Sequence, residues 1–178
     1  GVGALALGII ASALWTVGAA AAPAAQDAAL AHARRLLERT QLIDGHNDLP
    51  IAIRQYAAAP GDIVAYDLRK PTPGHTDLAR LHEGGVGGQF WSVYIPSDGA
   101  GSFARTQLEQ IDLARRIIER YPERLRLVGT AAEMRRAFRD HRIGSMLGIE
   151  GGHAIENSLG ALRAYYALGV RYMTLTHN

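Results

Sequence analysis

Cysteine is absent from this 178-residue sequence. That excludes a disulfide framework, a zinc site built on thiolates and a cysteine nucleophile. Clustered positive charge is also missing: 19 Lys+Arg stand against 17 Asp+Glu, and no Lys/Arg run is longer than two. A surface that tracks phosphates needs a denser patch, so nucleic acid is not expected as a partner. No Gly-x-Ser-x-Gly nucleophile elbow occurs, and Gly151-Gly152 does not extend into a phosphate-binding glycine loop. What remains is an ordinary globular composition, 48% hydrophobic and 20% charged. Length sets a ceiling as well, because a complete (β/α)8 barrel takes about 250 residues.

Charge is missing altogether from residues 1–25; the earliest charged side chain is Asp27. Ala4 to Val17 forms an apolar stretch of 14 residues, followed by the small-residue run Gly18 to Ala22. This pattern predicts a secretory signal peptide over 1–25, without its basic leading segment and with cleavage between Ala20 and Ala25. The stretch is short and rich in Ala and Gly for a membrane span, which takes about 20 strongly apolar residues. Export is the expectation, to a bacterial periplasm or the extracellular side.

Residues 26–178 read as one α/β domain with no internal repeat and no linker. Asp27 caps a helix running to about Thr40, and a short apolar run, 41–44, leads into Gly45-His-Asn-Asp-Leu-Pro50. Residues 57–88 read as loop with one short helix near 77–83. Gln89–Ile95 and Ile143–Ile149 are continuous apolar runs, and Val170–Thr176 is a third. Helical periodicity spans Phe103–Tyr121 through Leu108, Ile111, Ala114, Ile117 and Ile118. Thr130 and Glu133 make a capping box opening a helix to about Asp140. A last helix from about Ser158 to Leu168 stops at Gly169. Strands without polar alternation are buried on both faces, as in a parallel sheet flanked by helices.

The chemistry gathers where those runs end. His46 and Asp48 follow the first, Glu150 the next-to-last and His177 the last. Alternation along a strand puts residues i and i+2 on one side, so His46 and Asp48 can meet at one ion. Imidazoles and carboxylates at the C-terminal ends of parallel strands lie where barrel enzymes build their sites. Such a nitrogen and oxygen donor set suits zinc, which activates a bound water near neutral pH. A second His-x-Asp, His75-Thr-Asp77, opens a short helix after Pro73-Gly74 and reads as a helix cap. His32, His82 and His141 read as solvated surface residues. His153 has two readings: outer support for a ligand or the substrate, or a structural loop hydrogen bond. Trp91 and Tyr94 read as core, with one of them available as a pocket wall.

Four segments then carry a resemblance. They are Leu42-Ile-Asp-Gly-His-Asn-Asp-Leu-Pro50, Gly84-Gly-Val-Gly-Gly-Gln-Phe-Trp-Ser92, Ile149-Glu-Gly-Gly-His153 and the closing stretch Asn157 to Asn178. Together, in this order, they are similar to the membrane (renal) dipeptidase family of zinc peptidases, from about Arg35 to the last residue. The resemblance implies a (β/α)8 TIM-type barrel of the metal-dependent hydrolase kind, of which 26–178 would be the N-terminal half, in a truncated form. It implies two zinc ions per complete site, with His46 and Asp48 on one and Glu150 bridging both. His177 would contact substrate and stabilise the oxyanion. The implied reaction is dipeptide hydrolysis by metal-activated water. The family's second zinc site and proton donor lie on later strands, so this chain alone is expected to be inactive. A homodimer is implied too, and membrane association stays open because some members carry a lipid anchor. Two other functions stand beside it: a metal-dependent amidohydrolase acting on another small amide or a β-lactam, and a non-catalytic exported binding protein.

Overall fold

Apolar runs without polar alternation become the strands of one parallel sheet, and the periodic segments between them become its covering helices. The computed structural model describes residues 23–99 and 101–177. In chain order these form α1 (Pro23–Arg39), β1 (Leu42–Asn47), α2 (Leu49–Arg54), α3 (Leu78–Glu83), β2 (Val86–Ser92) and α4 (Phe103–Arg120). There follow β3 (Leu125–Leu127), α5 (Ala131–Arg139), β4 (Ile143–Ile149), a 3-10 turn (Gly152–Ile155), α6 (Leu159–Ala167) and β5 (Val170–Met173). The segment expected to direct export lies outside the described residues, apart from Pro23–Ala25, which open α1. No helix among the described residues is long and apolar enough to cross a membrane.

All strand pairings are parallel, β1 with β2 and β2 with β4. The far edge of β4 is shared: β3 pairs with its first half and β5 with its second. The four strands β1, β2, β4 and β5 therefore lie side by side in chain order, as at the start of a TIM-type barrel. β4 is buried at every position, with Leu147 and Ile149 fully enclosed. Ile111, Ala114, Ile117 and Ile118 of α4 pack in the same core. The long segment between α2 and α3 enters this core through Tyr66 and Leu68, and Tyr121 holds it there. Tyr121 is buried, its hydroxyl accepts from the Leu68 amide at 2.9 Å, and Arg69 lies over its ring at 4.6 Å.

Two local expectations, on β2 and on α4, are corrected, and two further elements, β3 and α2, are added. β2 spans 86–92 rather than 89–95: Gly88 pairs with Ile43 on one side and Gly144 on the other, and these ladders hold it in the strand despite its weak β-propensity. β3 is three residues long, too short for a periodic signal. Leu49–Arg54 is helical, started by Pro50, whose fixed φ suits a first turn. On α4, Leu108 is 45% exposed while Gln107 is buried and donates to the Val93 carbonyl at 2.9 Å.

The His75-Thr-Asp77 copy is a helix cap, as its position suggests. The Asp77 carboxylate accepts from the Arg80 amide at 2.8 Å and pairs with its guanidinium at 2.7 Å. Burial would raise the Asp77 pKa, but the hydrogen bonds from Arg80 outweigh it and hold the carboxyl below its ordinary value. A depressed carboxyl stabilises the fold above its unfolded pKa, and the contribution vanishes as pH falls through the folded value. Asp77→Ala is expected to cost about 1–2 kcal/mol near neutral pH, the usual loss for an N-cap. Urea unfolding of both proteins across the acid range should show this gap closing; a gap constant with pH would exclude the carboxylate as its source.

Candidate metal centre

Parallel strands send all their C-terminal ends to one edge, and the polar residues that follow them meet there. His46 Nε2 lies 3.1 Å from Asp48 Oδ1 and 3.3 Å from Glu150 Oε2. One ligand atom from each of these residues falls within 4.8 Å of the others. Glu150 Oε1 turns the other way and lies 3.0 Å from His177 Nδ1. The four residues singled out from the sequence are thus in one cluster, although 131 positions separate His46 from His177 (177 − 46).

The way His46 and Asp48 converge differs from simple strand alternation. Asp44 pairs with Gln89 and Asn47 with Trp91, so β1 carries one extra residue between them. Such a bulge bends the strand and re-aims its side chains. The Asp44 carboxylate holds it by accepting from the His46 amide at 3.1 Å. Asp48 is no longer strand; it is the residue from which α2 starts. Asn47, between the two, points inward, where its amide donates to Thr76 and Gln89 at 3.1 and 3.3 Å. The segment capping α3 therefore braces the segment that carries His46 and Asp48.

Glu150 is held as firmly. The Ser92 hydroxyl, fully buried at the end of β2, donates to Glu150 Oε2 at 3.2 Å. The next residue, Gly151, has φ +104°, and its amide donates to Thr174 Oγ1 at 2.8 Å. Gly152 donates to the Leu175 carbonyl at 3.1 Å. These bonds lace the Glu150 loop to the segment carrying His177. Tyr94 is the aromatic that reaches the site, its ring 4.8 Å from that of His177, whereas Trp91 is in the core. His153 turns away: its Nε2 meets the Ile95 carbonyl at 3.1 Å and its ring stands edge-on to Phe103. Of its two readings, the geometry supplies the loop hydrogen bond.

Ser92 and Tyr172 join this site beyond the residues expected from the sequence. Ser92 could have been found from its place at a strand end; Tyr172 had no comparable signal, since it follows a bulge in β5. Burial raises the Tyr172 pKa, and the Glu150, Asp48 and Asp44 carboxylates raise it further, so the phenol stays protonated.

Comparison with known proteins points to one family. The model of the membrane dipeptidase family (peptidase family M19) matches residues 30–178. Dipeptidase verJ of Clonostachys rogersoniana is 44% identical over 160 residues, 84% of this chain and 41% of that protein. A dipeptidase described as a metallopeptidase of family M19 superposes with a TM-score of 0.62 at 29% identity, covering 76% of this chain and 42% of its own. A metallopeptidase of Rhodobacter sphaeroides, bound to a phosphinate mimic of the dipeptide L-Ala-D-Ala, also gives 0.62, at 26% identity, with 75% and 44% covered. The chain therefore spans about two fifths of the length of the relatives it matches.

Gly151 offers a direct check on the loop. An L side chain is strained at its φ, and a Cβ there would lie 2.5 Å from the His153 ring. Gly151→Ala is expected to destabilise by roughly 1–3 kcal/mol, the range for a strained backbone position. A thermal melt reads the loss, and an unchanged midpoint would mean that the loop relaxes freely.

Proposed function

The chain belongs to the membrane dipeptidase family, and we propose that it supplies the metal-binding part of a zinc dipeptidase site. One observation carries this: two carboxylates, Asp48 and Glu150, point at a single imidazole nitrogen at the C-terminal edge of the sheet. Like charges brought together in this way disfavour one another unless a cation lies between them. One nitrogen and two oxygen donors form a set that zinc accepts. The names of the relatives support dipeptides as the substrate class, and the ligand of the Rhodobacter protein is a dipeptide mimic.

When bound, zinc supplies Lewis acidity toward a peptide carbonyl and lowers the pKa of a water molecule. The residues of this chain do the rest. His46 and Asp48 would hold the ion. Glu150 faces His46 with one oxygen and His177 with the other, and would be the ligand shared by the two ions of a complete site. His177, its Nδ1 3.0 Å from Glu150 Oε1, would stabilise the oxygen on which negative charge develops. Ser92 keeps the Glu150 carboxylate from turning. The intact ligand cluster speaks against a purely binding role. Export remains part of the proposal, on the uncharged apolar segment 1–25.

The test uses the intact protein. Removing zinc with a chelator should abolish dipeptide hydrolysis, and adding zinc back should restore it. His46→Ala and Glu150→Gln should each lower kcat/KM by more than the roughly 100-fold that loss of an outer partner costs. Activity unchanged in both variants, with zinc still bound, would sink the assignment.

A further inference from the structure

An imidazole that gives one ring nitrogen to a metal must place the proton of the other, and the partner it finds sets the ring's tautomer and angle. His46 turns Nε2 toward Asp48 and Glu150. Its Nδ1 lies 3.4 Å from the hydroxyl of Tyr172, and that hydroxyl lies 3.5 Å from the Gly45 carbonyl. A carbonyl only accepts, so a phenol hydrogen given to Gly45 leaves the phenol oxygen to accept from Nδ1–H.

We propose that Tyr172 is the positioning residue for His46, holding its imidazole in the Nδ1–H tautomer so that the Nε2 lone pair faces the metal. This rests on the metal reading above.

The fold builds a seat for the tyrosine. Leu147 pairs with Val170 but Gly148 pairs with Tyr172, so β5 carries one extra residue just before the tyrosine. The bulge brings the Tyr172 ring directly over Gly148, where any Cβ would collide with it. Phe90 of β2 flanks the ring from the side, with centroids 5.5 Å apart at 46°. Three strands thus fix the ring, and the hydroxyl reaches a fourth, β1, across 126 residues of sequence. A ring needed only for packing would use Gly148 and Phe90 equally well without its hydroxyl, and that separates the two roles.

Tyr172→Phe in the intact protein keeps the ring and removes the hydroxyl. Stripped of metal, it should melt with the unmodified protein. Its dissociation constant for zinc, titrated alone, should rise roughly 10- to 100-fold, as for other outer partners of metal ligands. In zinc-loaded protein labelled with 15N-histidine, the His46 Nδ1–H resonance is identified by its loss in His46→Ala. It should move upfield and exchange faster with water in Tyr172→Phe. Equal zinc affinity, or weaker affinity with an unmoved Nδ1–H resonance, overturns the role of Tyr172 while leaving the metal site standing. If the unmodified protein binds no zinc, the metal reading falls and this inference falls with it.

Discussion

A carboxylate at the end of a fully enclosed strand must find partners, because a partly desolvated charge left alone is costly. Glu150 stands at the end of β4, the strand buried along its whole length. Its partners arrive from the other strands of the sheet: Ser92 from the end of β2, His46 from β1 and His177 from beyond β5. Because β4 is held by neighbours on both sides, Glu150 cannot drift to meet them. The other strand ends are built around it, and the geometry of the cluster follows from that one fixed group.

Parallel pairing alone would not deliver this cluster. Regular alternation sends successive side chains to opposite faces, and two bulges break it next to the site. The one in β1 brings His46 and Asp48 to bear on one point, and the one in β5 sets Tyr172 on Gly148. The β1 bulge is braced from outside its own strand. Asn47 is tied to Thr76 and Gln89, so the His-x-Asp copy that caps α3 supports the copy that faces the carboxylates. The 3-10 turn after Glu150 is tied through Gly151 and Gly152 to the segment leading to His177.

Legibility in the sequence followed how local the signal was. β4 is read to the residue, since an apolar run with a marked start and end needs no distant information. α5 and α6 are equally plain, because the Thr130 and Ser158 hydroxyls that cap them bond within the same turn. Gln107 was hidden on α4: a buried amide is tolerable only if it finds a carbonyl, and the one it finds, Val93, lies in the loop after β2. His153 was undecided for the same reason, since Ile95 is 58 residues away.

The sequence by itself determined which groups stand at the strand ends and in what order: an imidazole and a carboxylate, then a glutamate, then a second imidazole. It also carried the family, through four separated motifs that need no coordinates. Only the tertiary structure decided that these groups meet, which oxygen of Glu150 faces which histidine, and that Ser92 and Tyr172 belong with them. The physical reason is that a ligand cluster is a matter of a few ångströms between groups that can be more than a hundred residues apart. Strand register, and the single extra residue of each bulge, sets those distances, and neither is written in any local pattern of hydrophobicity.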